Sequence, residues 1–128
     1  MRTAVDSSVL LAVFLGEPDA SAWVNTLADA RREGDLLVSE TVFAEISPLF
    51  PALPALESRL RDLGIAFEPT NPDAAFLAGG IFARYRAEGG AREHMIPDFL
   101  IAAHAQVQAS RLAAKDREIG RASCRERV

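Results

Sequence analysis

Apolar residues along the chain fall into short blocks of two kinds. Thr3-Ala4-Val5, Leu36-Leu37-Val38, Ile65-Ala66-Phe67 and Arg111-Leu112-Ala113-Ala114 are brief near-continuous runs bounded by polar or turn residues, the pattern of buried strands. The segments between them carry apolar residues at helical spacing: Val9 to Leu15; Trp23, Val24 and Leu27; Val42, Phe43, Ile46 and Leu49; Leu56, Leu60 and Leu63; then Asp73 to Ala87 and Pro97 to Ala109. The resulting order, β-α-α-β-α-α-β-α-α-β, predicts a three-layer α/β/α domain with a central parallel sheet. The 128 residues have no linker or internal repeat, so one domain is expected.

Polar residues punctuate these blocks. Ser7-Ser8 are expected to cap the first helix, Asp19 the second and Ser39 a third that runs through Phe50. Gly79-Gly80 interrupt the middle of the Asp73–Ala87 helix at a cost of about 1 kcal/mol each against Ala, and close packing on a neighbour would explain them. Pro97 suits the first position of the last helix, which puts Asp98 in its first turn, where the helix dipole favours negative charge.

Four acids stand at one end of this pattern. Asp6 and Asp116 follow strands, Asp98 opens a helix beside them, and Glu45 lies near the angular position of Val42 and Leu49, on the apolar side of its helix. The carboxyl ends of the strands in an open α/β sheet are where ligands bind, and all four acids can meet there. Packed carboxylates repel, and with no cluster of His or Lys to offset them the expected compensation is a divalent cation of the hard, oxygen-preferring kind, Mg²⁺ or Mn²⁺. Such a centre suits hydrolysis of a phosphodiester. Arg84, Arg86 and Arg92 are candidates for contacts to flanking phosphates, although a solvated helix face is the plainer reading of Arg84 and Arg86. His104, six positions after Asp98, points away from the acidic face and reads as a packing residue.

Composition narrows the classes. A net charge of −4 argues against broad electrostatic attraction to nucleic acid, so any such contact is expected to be local or metal-assisted. No apolar run approaches the roughly 20 residues needed to cross a bilayer, and the start of the chain lacks a secretory layout, so a cytoplasmic protein is expected. The last ten residues, Ile119-Gly120-Arg121-Ala122-Ser123-Cys124-Arg125-Glu126-Arg127-Val128, have neither period. They match the translation of a common sequencing-adapter DNA throughout. They are therefore read as non-native, which makes 1–118 the domain, cut short where a further strand is expected to begin. Setting aside three Arg and one Glu takes the net charge from −4 to −6 and removes the only Cys.

The stretches Val5-Asp6-Ser7-Ser8-Val9-Leu10-Leu11, Leu15-Gly16-Glu17-Pro18, Glu45, Ile96-Pro97-Asp98-Phe99-Leu100-Ile101-Ala102-Ala103-His104-Ala105 and Ala114-Lys115-Asp116-Arg117 together resemble the PIN-domain ribonucleases, in particular the VapC-type toxins of toxin–antitoxin pairs. That resemblance implies a Mg²⁺- or Mn²⁺-dependent endoribonuclease, usually dimeric and held inactive by a VapB-like antitoxin. Asp6, Glu45, Asp98 and Asp116 match the family's acidic positions, and Ser8 a hydroxyl position that orients a carboxylate or a bound water. The other readings are a non-catalytic PIN-like module that binds RNA or protein, and a housekeeping PIN nuclease. A phosphoacceptor receiver would need an acidic pair after the first strand, and a haloacid-dehalogenase-type phosphatase a second Asp where Ser8 stands.

Overall fold

The computed structural model describes residues 1–89, 96–115 and 126–127. The chain runs β1 (Thr3–Val5), α1 (Ser7–Phe14), α2 (Ala20–Glu33), β2 (Leu36–Val38), α3 (Glu40–Ile46), a 3₁₀ turn at Ser47–Leu49, α4 (Leu53–Asp62), β3 (Ile65–Phe67), α5 (Pro72–Ala87), α6 (Ile96–Gln108), β4 (Arg111–Ala113) and β5 (Glu126–Arg127). The strands form one sheet in the order β3-β2-β1-β4-β5, and every neighbouring pair is parallel. The α/β architecture expected from the pattern is therefore present. β5 comes from the terminal segment and pairs Glu126 with Arg111 and Arg127 with Leu112.

β1, β2 and β4 are buried along their whole length, as strands covered on both faces must be. Their side chains join Val9 and Leu10 of α1, Leu27 of α2, Val42 and Ile46 of α3, Leu56 and Leu60 of α4, and Ile101, Ala102 and Ala105 of α6 in one core. A smaller cluster fastens α5 to α6: Ala78 and Ile81 pack with Phe99 and Ala103. The ring of Phe99 lies 5.7 Å from that of Phe82 and 5.3 Å from that of Tyr85, which anchors the first turn of α6. Arg111 of β4 is buried and compensated: Nε donates to Thr3 Oγ1 at 2.8 Å and a terminal nitrogen to Glu33 at 2.9 Å.

Several local expectations are corrected. The first helix is capped by Asp6, not by the serines after it. Asp19 precedes α2 without a side-chain cap bond, because its carboxylate is engaged elsewhere. Ser39 does cap α3, its hydroxyl accepting the Val42 N–H, but the α-helix ends at Ile46 rather than Phe50. The chain tightens into the 3₁₀ turn at Ser47-Pro48-Leu49, where proline has no N–H to continue an α-helical ladder. Asn71 caps α5, which starts at Pro72. Among the described residues nothing packs closely on Gly79 or Gly80: a Cβ at either would have no neighbour within 4 Å.

Candidate active site

The chain lays down β1, moves outward through β2 to β3, and then returns to place β4 on the other side of β1. The order of strands therefore reverses between β1 and β4. Helices leaving two such strands diverge, and the crevice between them at the carboxyl ends is the usual ligand site of an open α/β sheet.

Asp6 stands at that point. It is 1% exposed, follows β1 directly, and adopts the extended backbone of a helix cap. Its Oδ2 accepts the Ser8 N–H at 3.1 Å and also the Ser8 hydroxyl. The same Ser8 Oγ accepts the backbone N–H of Lys115, just after β4, at 3.0 Å. A hydroxyl has one proton to give and lone pairs to receive, and Ser8 uses both to tie the ends of two strands together.

Asp98 is half-buried in the first turn of α6, where the helix dipole suits a carboxylate. Glu45 departs from expectation. It is exposed, not buried, because α3 gives way to the 3₁₀ turn before the stripe of Val42 and Ile46 can extend to Leu49, itself 39% exposed. Glu45 nevertheless belongs with the other acids. The protein crowded around its carboxyl raises its pKa above the ordinary value, the charges of Asp6 and Asp98 push the same way, and a hydrogen bond from Ser7 opposes them. Asp6, Glu45 and Asp98 therefore share one electrostatic environment.

Asp116 and Arg92 lie outside the described residues. Arg84 is exposed in the last turn of α5, where a cation complements the dipole, and Arg86 next to it lies over the Phe82 ring at 5.8 Å. His104 is buried on α6, its Nε2 2.8 Å from the Glu68 carbonyl, which accepts its proton. Burial lowers its pKa, so the ring is neutral near pH 7.

A second cluster beside the site is not apparent from local sequence. Lys115 Nζ reaches Glu17 at 3.1 Å and Asp19 at 3.0 Å, and Asp19 also accepts the indole N–H of Trp23 at 3.1 Å. The hydrogen bond from Lys115 is the largest influence holding Asp19 below its ordinary pKa, and its bond to Asp19 raises that of Lys115. The cluster clamps the α1–α2 turn to the segment that leaves β4. The available sequence signal was a lone lysine next to an expected site Asp and an acidic turn far away in the chain.

Among the described residues, no group of three or more His, Cys, Asp or Glu is close enough to hold a metal ion by itself. The donor set still fits a hard cation: it is all carboxylate, and two of its charges weigh on a third, a condition that a divalent ion relieves. A groove of about 460 Å³ beside α4 and β3, lined by Phe43, Leu53, Leu60, Ile65 and Phe67, includes none of these acids.

The PIN domain model matches residues 3–123, a span that includes Asp6, Glu45, Asp98 and Asp116. The chain belongs to the PIN domain family. No curated protein matches it in sequence. Three solved structures share the PIN fold with it. VapBC2 from Rickettsia felis, bound to a DNA fragment from its promoter, superposes with a TM-score of 0.79 at 16% identity over 100% of this chain and 98% of that one. VapBC-1 from nontypeable Haemophilus influenzae gives 0.75 at 16% identity over 100% and 97%. FitAcB from Neisseria gonorrhoeae gives 0.65 at 19% identity over 98% and 95%.

Proposed function

We propose that this PIN domain is a VapC-type toxin: a Mg²⁺- or Mn²⁺-dependent endoribonuclease of the cytoplasm, kept inactive by a VapB-like antitoxin and acting as a homodimer. The observation that carries the nuclease reading is the shared electrostatics of Asp6, Asp98 and Glu45 at the switch point between β1 and β4. The fold shared with VapBC structures supports the partner reading.

Asp6, Asp98 and Asp116 are the residues that would hold the metal, with Glu45 at the rim. When bound, the ion supplies Lewis acidity to the phosphate and makes a water molecule nucleophilic near neutral pH. The chain's own residues set the rest. Ser8 fixes Asp6 in one orientation by bonding its Oδ2 twice and then holds the Lys115 backbone beside it. Glu45, exposed and with a raised pKa, is the carboxylate suited to take a proton from the attacking water. His104 has no part in the proton transfer, since its ring is buried against the Glu68 carbonyl.

The test is cleavage of single-stranded and hairpin RNA by the purified protein with Mg²⁺ or Mn²⁺. Cutting should stop in chelator, return on adding the metal, and be lost in Asp98→Asn. RNA cleavage undiminished by chelator would refute the mechanism, and RNA bound but never cut under any metal would favour a binding module.

A further inference from the structure

Lys115 is the only lysine in the chain, and it is held at both ends. Its backbone N–H donates to Ser8 Oγ at 3.0 Å, in the first turn of α1. Its Nζ lies 3.1 Å from Glu17 and 3.0 Å from Asp19, past the far end of the same helix. One residue therefore bridges the two ends of α1, which at eight residues is about 12 Å long. The far anchor is itself fastened: the Asp19 oxygen that receives Lys115 also accepts the Trp23 indole N–H at 3.1 Å, and Trp23 packs on the main core.

We propose that Lys115 is a positioning residue for the metal site, fixing the direction in which the chain leaves β4 toward Asp116, the next residue in the sequence; this rests on the nuclease reading above. A bond to the backbone N–H alone would fix where Lys115 lies and leave it free to turn about that point. The second anchor, on its ammonium, removes that freedom. Global stability does not account for the clamp, because an ion pair whose lysine side chain is 33% exposed contributes little to folding. Direct contact with RNA does not account for it either. Two carboxylates face one ammonium, so the cluster is net negative and repels a phosphate.

Mn²⁺ titration of the full chain, with the free ion read by electron paramagnetic resonance, tests this alongside RNA cleavage. Lys115→Met should weaken Mn²⁺ binding by about tenfold and lower kcat by about tenfold, with KM for RNA unchanged and the melting temperature in chelator little altered. Lys115→Arg keeps both ion pairs and should recover both values. The double variant Glu17→Gln with Asp19→Asn should act like Lys115→Met. These two sets of changes alter the local charge in opposite directions, so an effect of charge at a distance would tighten binding in one and weaken it in the other. Opposite effects of that kind, Mn²⁺ binding that is the same in Lys115→Met, or a raised KM with kcat intact would overturn the inference, and so would a Lys115→Met chain that fails to fold. An unmodified chain that binds no Mn²⁺ would instead overturn the nuclease reading, and this assignment with it.

Discussion

Ser8 holds Asp6 and the Lys115 backbone at once, donating its hydroxyl proton to Asp6 Oδ2 and accepting the Lys115 N–H at 3.0 Å. A single oxygen thus sets both the rotamer of a buried carboxylate and the position of the segment that leads to Asp116. Ser8→Ala removes the hydroxyl donor from that oxygen and keeps the backbone N–H. The expected cost is about 1–2 kcal/mol in stability, read by urea denaturation, and about 10- to 100-fold in RNA cleavage. Ser8→Thr keeps the hydroxyl and should recover most of both. Activity that survives Ser8→Ala intact would show that Asp6 is held by other means.

Asp98→Asn separates electrostatic repulsion from folding. The charges of Asp6 and Asp98 both help to raise the Glu45 pKa, so the ionised set is under strain without metal. Neutralising Asp98 should raise the melting temperature of the metal-free protein and shrink the further increase produced by Mn²⁺. Differential scanning fluorimetry with chelator and with Mn²⁺ measures both. A lower melting temperature in chelator would contradict the convergence of these acids.

His104 makes stability depend on pH in a definite direction. Burial lowers its pKa in the folded protein below the ordinary 6.5, while the Glu68 carbonyl and the charges of Glu68 and Glu40 offset part of that effect and Arg2 adds to it. Just below pH 6.5 the unfolded chain therefore binds a proton that the folded chain does not, so stability is full above 6.5 and falls as pH drops. Glu45 acts with the opposite sign, since its raised pKa lets the folded chain take up a proton first on acidification. The prediction is clearest in Glu45→Gln, where urea midpoints should fall from pH 7.5 to pH 5.5 and the fall should flatten once His104→Gln is added. An unchanged slope in that double variant would assign the effect to other groups.

The elements and their order could be read from the chain because strands buried on both faces and helices with one apolar stripe leave different periods. The parallel sheet, the place of Asp6 at the end of β1 and the place of Asp98 in the first turn of α6 all follow from that pattern. Glu45 was harder. Its apparent burial came from extending the stripe to Leu49, whereas the 3₁₀ turn rotates Leu49 out and leaves Glu45 at the rim. Asp19 looked like a helix cap because Asp before a helix normally is one. Its partner Lys115 lies far along the chain, and no local pattern reports such a pair. Gly79-Gly80 pointed to close packing on a neighbour, and no described residue of the chain comes near either.

The terminal segment yields the last prediction. Residues 119–128 match translated adapter DNA, yet Glu126–Arg127 pair with β4 as the edge strand β5. Two residues at a sheet edge add only a few backbone hydrogen bonds, each with a small net value. β4 is buried by α6 and β1 whether or not they are present, and a three-residue edge is a poor template for aggregation. Deleting 119–128 should therefore change unfolding stability by about 1 kcal/mol or less and leave the transition cooperative. Loss of a cooperative transition would show that the segment is integral to the domain. Sequencing the gene would then decide its origin, since finding those codons in genomic DNA would rule out the adapter reading.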